Sequence, residues 1–103
     1  MGLAAAIVCA ASLLHLPVPA TVVSVAWAQP GEALCAAAGH PGCDAVAGGT
    51  AGFMAVVLAP GAGWALQVHE GCHVAQRGNG LASRGPGAER QCEWVQSRAE
   101  QCR

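Results

Sequence analysis

Bulky side chains are scarce in this chain, and that limits what it can fold into. Its 103 residues include three Trp (Trp27, Trp64, Trp94), one Phe (Phe53) and no Tyr, while Ala and Gly dominate. Small side chains bury little area each, so a core built on them is thin, and a domain this short then needs covalent or metal staples. Six cysteines are available for that purpose. The formal net charge is −1, and all five basic residues are Arg. Such a balance gives no electrostatic footprint for nucleic acid or an anionic membrane.

Residues 1–28 read as a secretory signal peptide. Leu3 to Leu16 is almost unbroken apolar sequence, and Pro17 and Pro19 then interrupt any helix. Ala26-Trp27-Ala28 supplies a small-x-small cleavage pattern, which makes Gln29 the first mature residue. The rival reading is an uncleaved membrane anchor, since Leu3 to Ala28 is long enough to span. With cleavage the expected location is secreted or periplasmic, where disulfides persist, and the membrane enters only through an uncleaved signal. Cys9 would leave with the signal. Cys72 becomes the odd one out, with core packing as its expected role. Cys35, Cys43, Cys92 and Cys102 remain as disulfide candidates with three possible pairings.

Residues 29–52 are rich in Gly, Ala and Pro and read as loop, with a possible helical turn at 32–38. Phe53 to Leu58 is the best strand candidate. A helix is expected from Trp64 to Arg77, ended by Gly78-Asn79-Gly80. A second helix is expected from Gly87 or Ala88 to Gln101, after a Gly/Asn/Ser/Pro loop.

The first of these helices carries His69-Glu70-Gly71-Cys72-His73, an H-E-x-x-H pentapeptide. Residues four apart on a helix share a face, so the two imidazoles can reach one metal ion. Glu70 is then placed as general base toward a metal-activated water. A catalytic zinc site uses three protein ligands, and the second helix offers Glu89 and Glu93, again four apart. One can ligate the metal and the other can accept the outer N–H of a ligand imidazole. Spacing alone leaves the choice open. Gln76 and Gln96 are candidates for hydrogen bonds between the helices, although exposure is usual for such residues. His40 is the one histidine left to steady an oxyanion.

Val68-His-Glu-Gly-Cys-His-Val-Ala-Gln76 resembles the motif helix of gluzincin-type, zincin-like metallopeptidases. It is similar above all to small secreted bacterial members that read V-H-E-x-x-H-x-x-Q. Their second motif, E-x-x-A-x-x-V-Q, resembles Glu89-Arg-Gln-Cys-Glu-Trp-Val-Gln96. The resemblance covers residues 53–98. It implies a zinc-dependent peptidase acting on a peptide or protein, with His69, His73 and Glu89 as ligands and Glu93 behind them. The strand before the motif helix would be the substrate-side edge strand. Gly71 and Cys72 depart from the family pattern.

The expected architecture is therefore α+β but mostly α. A small zincin-like core at 53–103 would have one short strand or hairpin and two antiparallel helices around the metal. The alternative is a non-catalytic, disulfide-stapled secreted protein, a degenerate relative that binds a partner or a metal. A third possibility is an Ala/Gly/Arg-rich chain whose core is too thin to fold.

Overall fold

A computed structural model describes residues 2–19, 23–27, 45–50, 53–58 and 61–103. The chain forms two compact units, one of residues 1–20 with 63–103 and the other of residues 21–62. The first unit is helical. It consists of α1 (Leu3–Leu13), α2 (Trp64–Gly78), α3 (Pro86–Ser97) and a closing 3-10 turn, Ala99–Cys102.

Helix α2 is the centre of this unit, with α1 and α3 packed against it. Every residue from Gln67 to Gln76 on it is buried. A helix covered all round must pack on more than one side. On the α1 side the packing is close enough to exclude even a methyl group. A Cβ at Gly71 would stand 2.9 Å from the carbonyl carbon and oxygen of Ala6. Glycine inside a helix costs about 1 kcal/mol against alanine, and here that cost permits the approach of two backbones. Ala6 and Ala10 of α1 are themselves fully buried. Trp64, the first residue of α2, donates its indole N–H to the Ala99 carbonyl at 2.8 Å, which ties the start of α2 to the last turn.

Two disulfides close the unit, Cys9–Cys102 and Cys72–Cys92. Cys92 and Cys102 are bonded as expected, but to other partners. Cys72 is not the odd cysteine. It lies three residues after His69, on the face of α2 that meets α3, with its Cα 5.5 Å from that of Cys92. Cys9 pairs with Cys102, because residues 3–13, read as the apolar run of a signal, here form α1 within the helical unit. Cys35, Cys43, His40 and the Ala28/Gln29 junction lie outside the described residues. Among the described residues no helix is long and apolar enough to cross a membrane.

The second unit contains β1 (Val23–Trp27), β2 (Ala45–Thr50) and β3 (Phe53–Leu58), in the order β1-β3-β2. β1 runs parallel to β3, with Val25 opposite Val56. β2 runs antiparallel to β3, with Ala47 opposite Val56. Val56 and Leu58 are fully buried. The strand expected at 53–58 is present, but residues 45–50, read as loop, are also strand.

The zincin-like α+β architecture is not what forms. Among the described residues, the mostly helical unit that carries the H-E-x-x-H motif has three helices and no strand. β3 belongs to the other unit and is paired on both sides, so it is not an edge strand. An apolar run of six residues identifies a strand without specifying its neighbours, which is why the sequence did not foretell this.

Candidate metal centre

The reversal between α2 and α3 places the acidic partner. After Gly78 the chain turns, with the Leu81 N–H bonded to the Gln76 carbonyl at 2.9 Å. Gly80 and Gly85 adopt φ of 72° and 93°, the left-handed region that side chains disfavour. Pro86 then opens α3 at a first-turn position suited to its fixed φ. Glu89 therefore sits in the first turn of α3, where the helix dipole favours a negative charge.

From there its carboxylate bridges the two motif histidines. Glu89 Oε1 lies 2.7 Å from His69 Nε2, and Oε2 lies 3.2 Å from His73 Nε2. The two rings meet edge to face, with centroids 5.1 Å apart. His69, Glu70 and His73 are all buried. Glu70 is the more distant acid, with Oε2 3.9 Å from His69 Nε2. The Glu89 side chain is 51% exposed and forms the solvent-facing rim of the cluster.

The other ring nitrogens meet amides. His69 Nδ1 lies 2.8 Å from Gln96 Oε1, and His73 Nδ1 lies 3.0 Å from Gln76 Oε1. Gln76 is fully buried, and its amide nitrogen donates to Gln91 Oε1 at 2.8 Å and to the Ala88 carbonyl at 3.2 Å. A backbone carbonyl only accepts, so that bond fixes which end of the Gln76 amide faces His73. The Cys92 sulfur, 3.6 Å from His73 Nδ1, is part of a disulfide and can likewise only accept.

Each imidazole thus stands between two acceptors, a glutamine oxygen on Nδ1 and a carboxylate oxygen on Nε2. A neutral ring carries one proton and can satisfy only one of them. The arrangement calls for a positive group between the Nε2 atoms and Glu89, either extra protons or a cation. The ligand atoms of His69, Glu70 and His73 lie within 4.8 Å of one another, and this group can hold a metal ion. Of the two acids Glu89 approaches both Nε2 atoms more closely than Glu70 approaches His69.

The helices bring His69, Glu70, His73 and Glu89 together. They do not bring Glu93 in. It is exposed on α3, one helical turn beyond Glu89, and the outer nitrogens expected to face it are taken by Gln96 and Gln76 instead. Those two glutamines are the site residues undervalued from sequence. A signal was present, since Gln76 follows His73 by three and Gln96 follows Glu89 by seven, spacings that keep each on its partner's face. No family model, no curated protein and no solved structure matches the chain.

Proposed function

We propose that His69, His73 and Glu89 hold a zinc ion and that the centre hydrolyses peptide bonds with Glu70 as general base. The observation that carries this reading is the convergence of two imidazole Nε2 atoms and one returning carboxylate within 2.7–3.2 Å. Two nitrogen donors and one oxygen donor are a usual ligand set for catalytic zinc. Zinc held there supplies Lewis acidity to a carbonyl and to water.

Glu70 follows the first histidine and has a buried carboxylate near the cluster. Its part is to take a proton from the attacking water and return it to the departing nitrogen. Half-exposed Glu89 leaves that side of the cluster facing solvent, where a substrate can enter. Two disulfides in the helical unit are compatible with an extracellular or oxidising compartment, and secretion or a periplasmic location belongs to the same proposal.

Metal analysis of the purified full chain tests the centre. About one zinc per chain is expected, lost in His69→Ala and His73→Ala. Glu70→Gln keeps the metal and abolishes hydrolysis of a casein or mixed-peptide substrate, because it removes only the base. Hydrolysis that survives Glu70→Gln rules out the peptidase assignment.

A second reading, metal binding without hydrolysis, is favoured by one observation. Among its described residues the helical unit contributes no strand of its own on which an extended peptide could lie. That reading predicts bound zinc and no turnover in the unmodified chain.

A further inference from the structure

The two glutamines behind the histidines have no part in the chemistry just described, yet each is hydrogen-bonded to a ring nitrogen of the cluster. Gln76 has no exposed surface and uses its amide in three directions, toward His73, Ala88 and Gln91. Gln96 reaches from α3 to His69 across the helix pair. Both present oxygen to an Nδ1 atom, and oxygen of an amide only accepts. An Nδ1 that donates must carry its proton, which leaves the Nε2 lone pair for whatever lies on the Glu89 side.

We infer that Gln76 and Gln96 are positioning residues that hold both imidazoles as Nδ1–H, with the two Nε2 atoms turned toward one cation. The inference rests on the metal-centre reading above and adds the groups that orient its ligands. The roles are separable by ring. Gln96 holds His69. Gln76 holds His73 and is itself aimed by the Ala88 carbonyl and by Gln91, whose side chain is on the exposed face of α3. Acceptors of this kind fix ring orientation and raise ligand basicity, and their loss lowers metal affinity by about 10–100-fold.

The test compares zinc affinity, by chelator competition, with nitrogen-resolved spectra of the histidine rings in zinc-loaded protein. Gln96→Met keeps the length of the side chain and removes the acceptor. It should weaken zinc by about 10-fold or more and speed solvent exchange of the His69 Nδ1–H while leaving His73 unchanged. Gln96→Glu restores an acceptor and should return both readouts to the unmodified level. Gln91→Ala, at an exposed position that does not threaten folding, should speed exchange at His73 alone, with a smaller loss of affinity. If Gln96→Met and Gln91→Ala bind zinc as the unmodified chain does, with both ring protons unchanged, the positioning role is wrong. If the unmodified chain retains no zinc at all, the metal-centre reading itself fails, a different and recognisable result.

Discussion

The two sides of α2 are built on opposite principles. Toward α1 the contact is backbone to backbone, with Gly71 against Ala6 and small apolar residues around it. Toward α3 the contact is polar, with two imidazoles, a carboxylate and two amides in one hydrogen-bonded cluster. The first side tolerates no added atom. The second depends on every donor having its acceptor, because an unpaired buried polar group costs about 1–3 kcal/mol. A short helix with few large side chains can thus be central in two ways, by steric closeness on one face and by directional bonds on the other.

Each side has a disulfide nearby, and removing them one at a time separates the two principles most sharply. Cys9–Cys102 spans 93 residues of sequence. Replacing both with Ala should cost about 4–5 kcal/mol by loop-closure entropy, read by chemical denaturation. Wherever the variant is folded, its zinc affinity should match that of the unmodified chain. Cys72–Cys92 spans only 20 residues, so its loss should cost about 3 kcal/mol. Zinc affinity should nevertheless fall, because that bond ties the histidine helix to the glutamate helix. Equal loss of affinity from both double variants would erase the distinction between the faces.

Gly71 probes the close side directly. Ala at this position gains about 1 kcal/mol of helix propensity, yet its Cβ meets main-chain atoms of Ala6 at 2.9 Å. A net destabilisation of about 1–2 kcal/mol is expected, measured by denaturant titration. A stabilised Gly71→Ala would show that α1 packs less closely than described. The smallest effect is expected far from both faces. Arg98 lies over the exposed Trp94 ring at 4.2 Å, and Arg98→Ala should change stability by about 1 kcal/mol or less, with no change in metal content.

The motif helix and its partner were legible because their signals are local. Two histidines four apart and a Gly-rich reversal before Glu89 specify faces and a return path without tertiary knowledge. Trp64–Gly78 was read to within a residue, while the second helix starts earlier, at Pro86, and gives way to a 3-10 turn after Ser97. Spacing alone does not separate Glu89 from Glu93, since residues four apart are equivalent until the depth of the first turn is known; only the resemblance points to Glu89. The pairings differ from the expected ones because a removable segment at 1–28 takes Cys9 out of consideration and leaves Cys72 as a packing residue without a bonding partner, whereas the two bond to Cys102 and Cys92. Gly71 reads as a helix cost with no reason, and the reason is a backbone 65 positions away in sequence, at Ala6 of α1, which local patterning does not reveal. The sheet was hidden by composition. Ala45-Val-Ala-Gly-Gly-Thr50 has only two β-branched residues and two glycines, a poor strand by propensity that is nonetheless paired along its whole length with β3.

Cys72 occupies one of the two variable positions inside the H-E-x-x-H pentapeptide, so the bridge to Cys92 leaves α2 from between the histidines. Such bonds do not last in a glutathione-rich interior. A newly made chain would hold its histidine and glutamate helices together there by packing and by the hydrogen bonds of the cluster, with no covalent tie between them. Oxidation would then add a covalent tie between the two helices beside the His–Glu cluster.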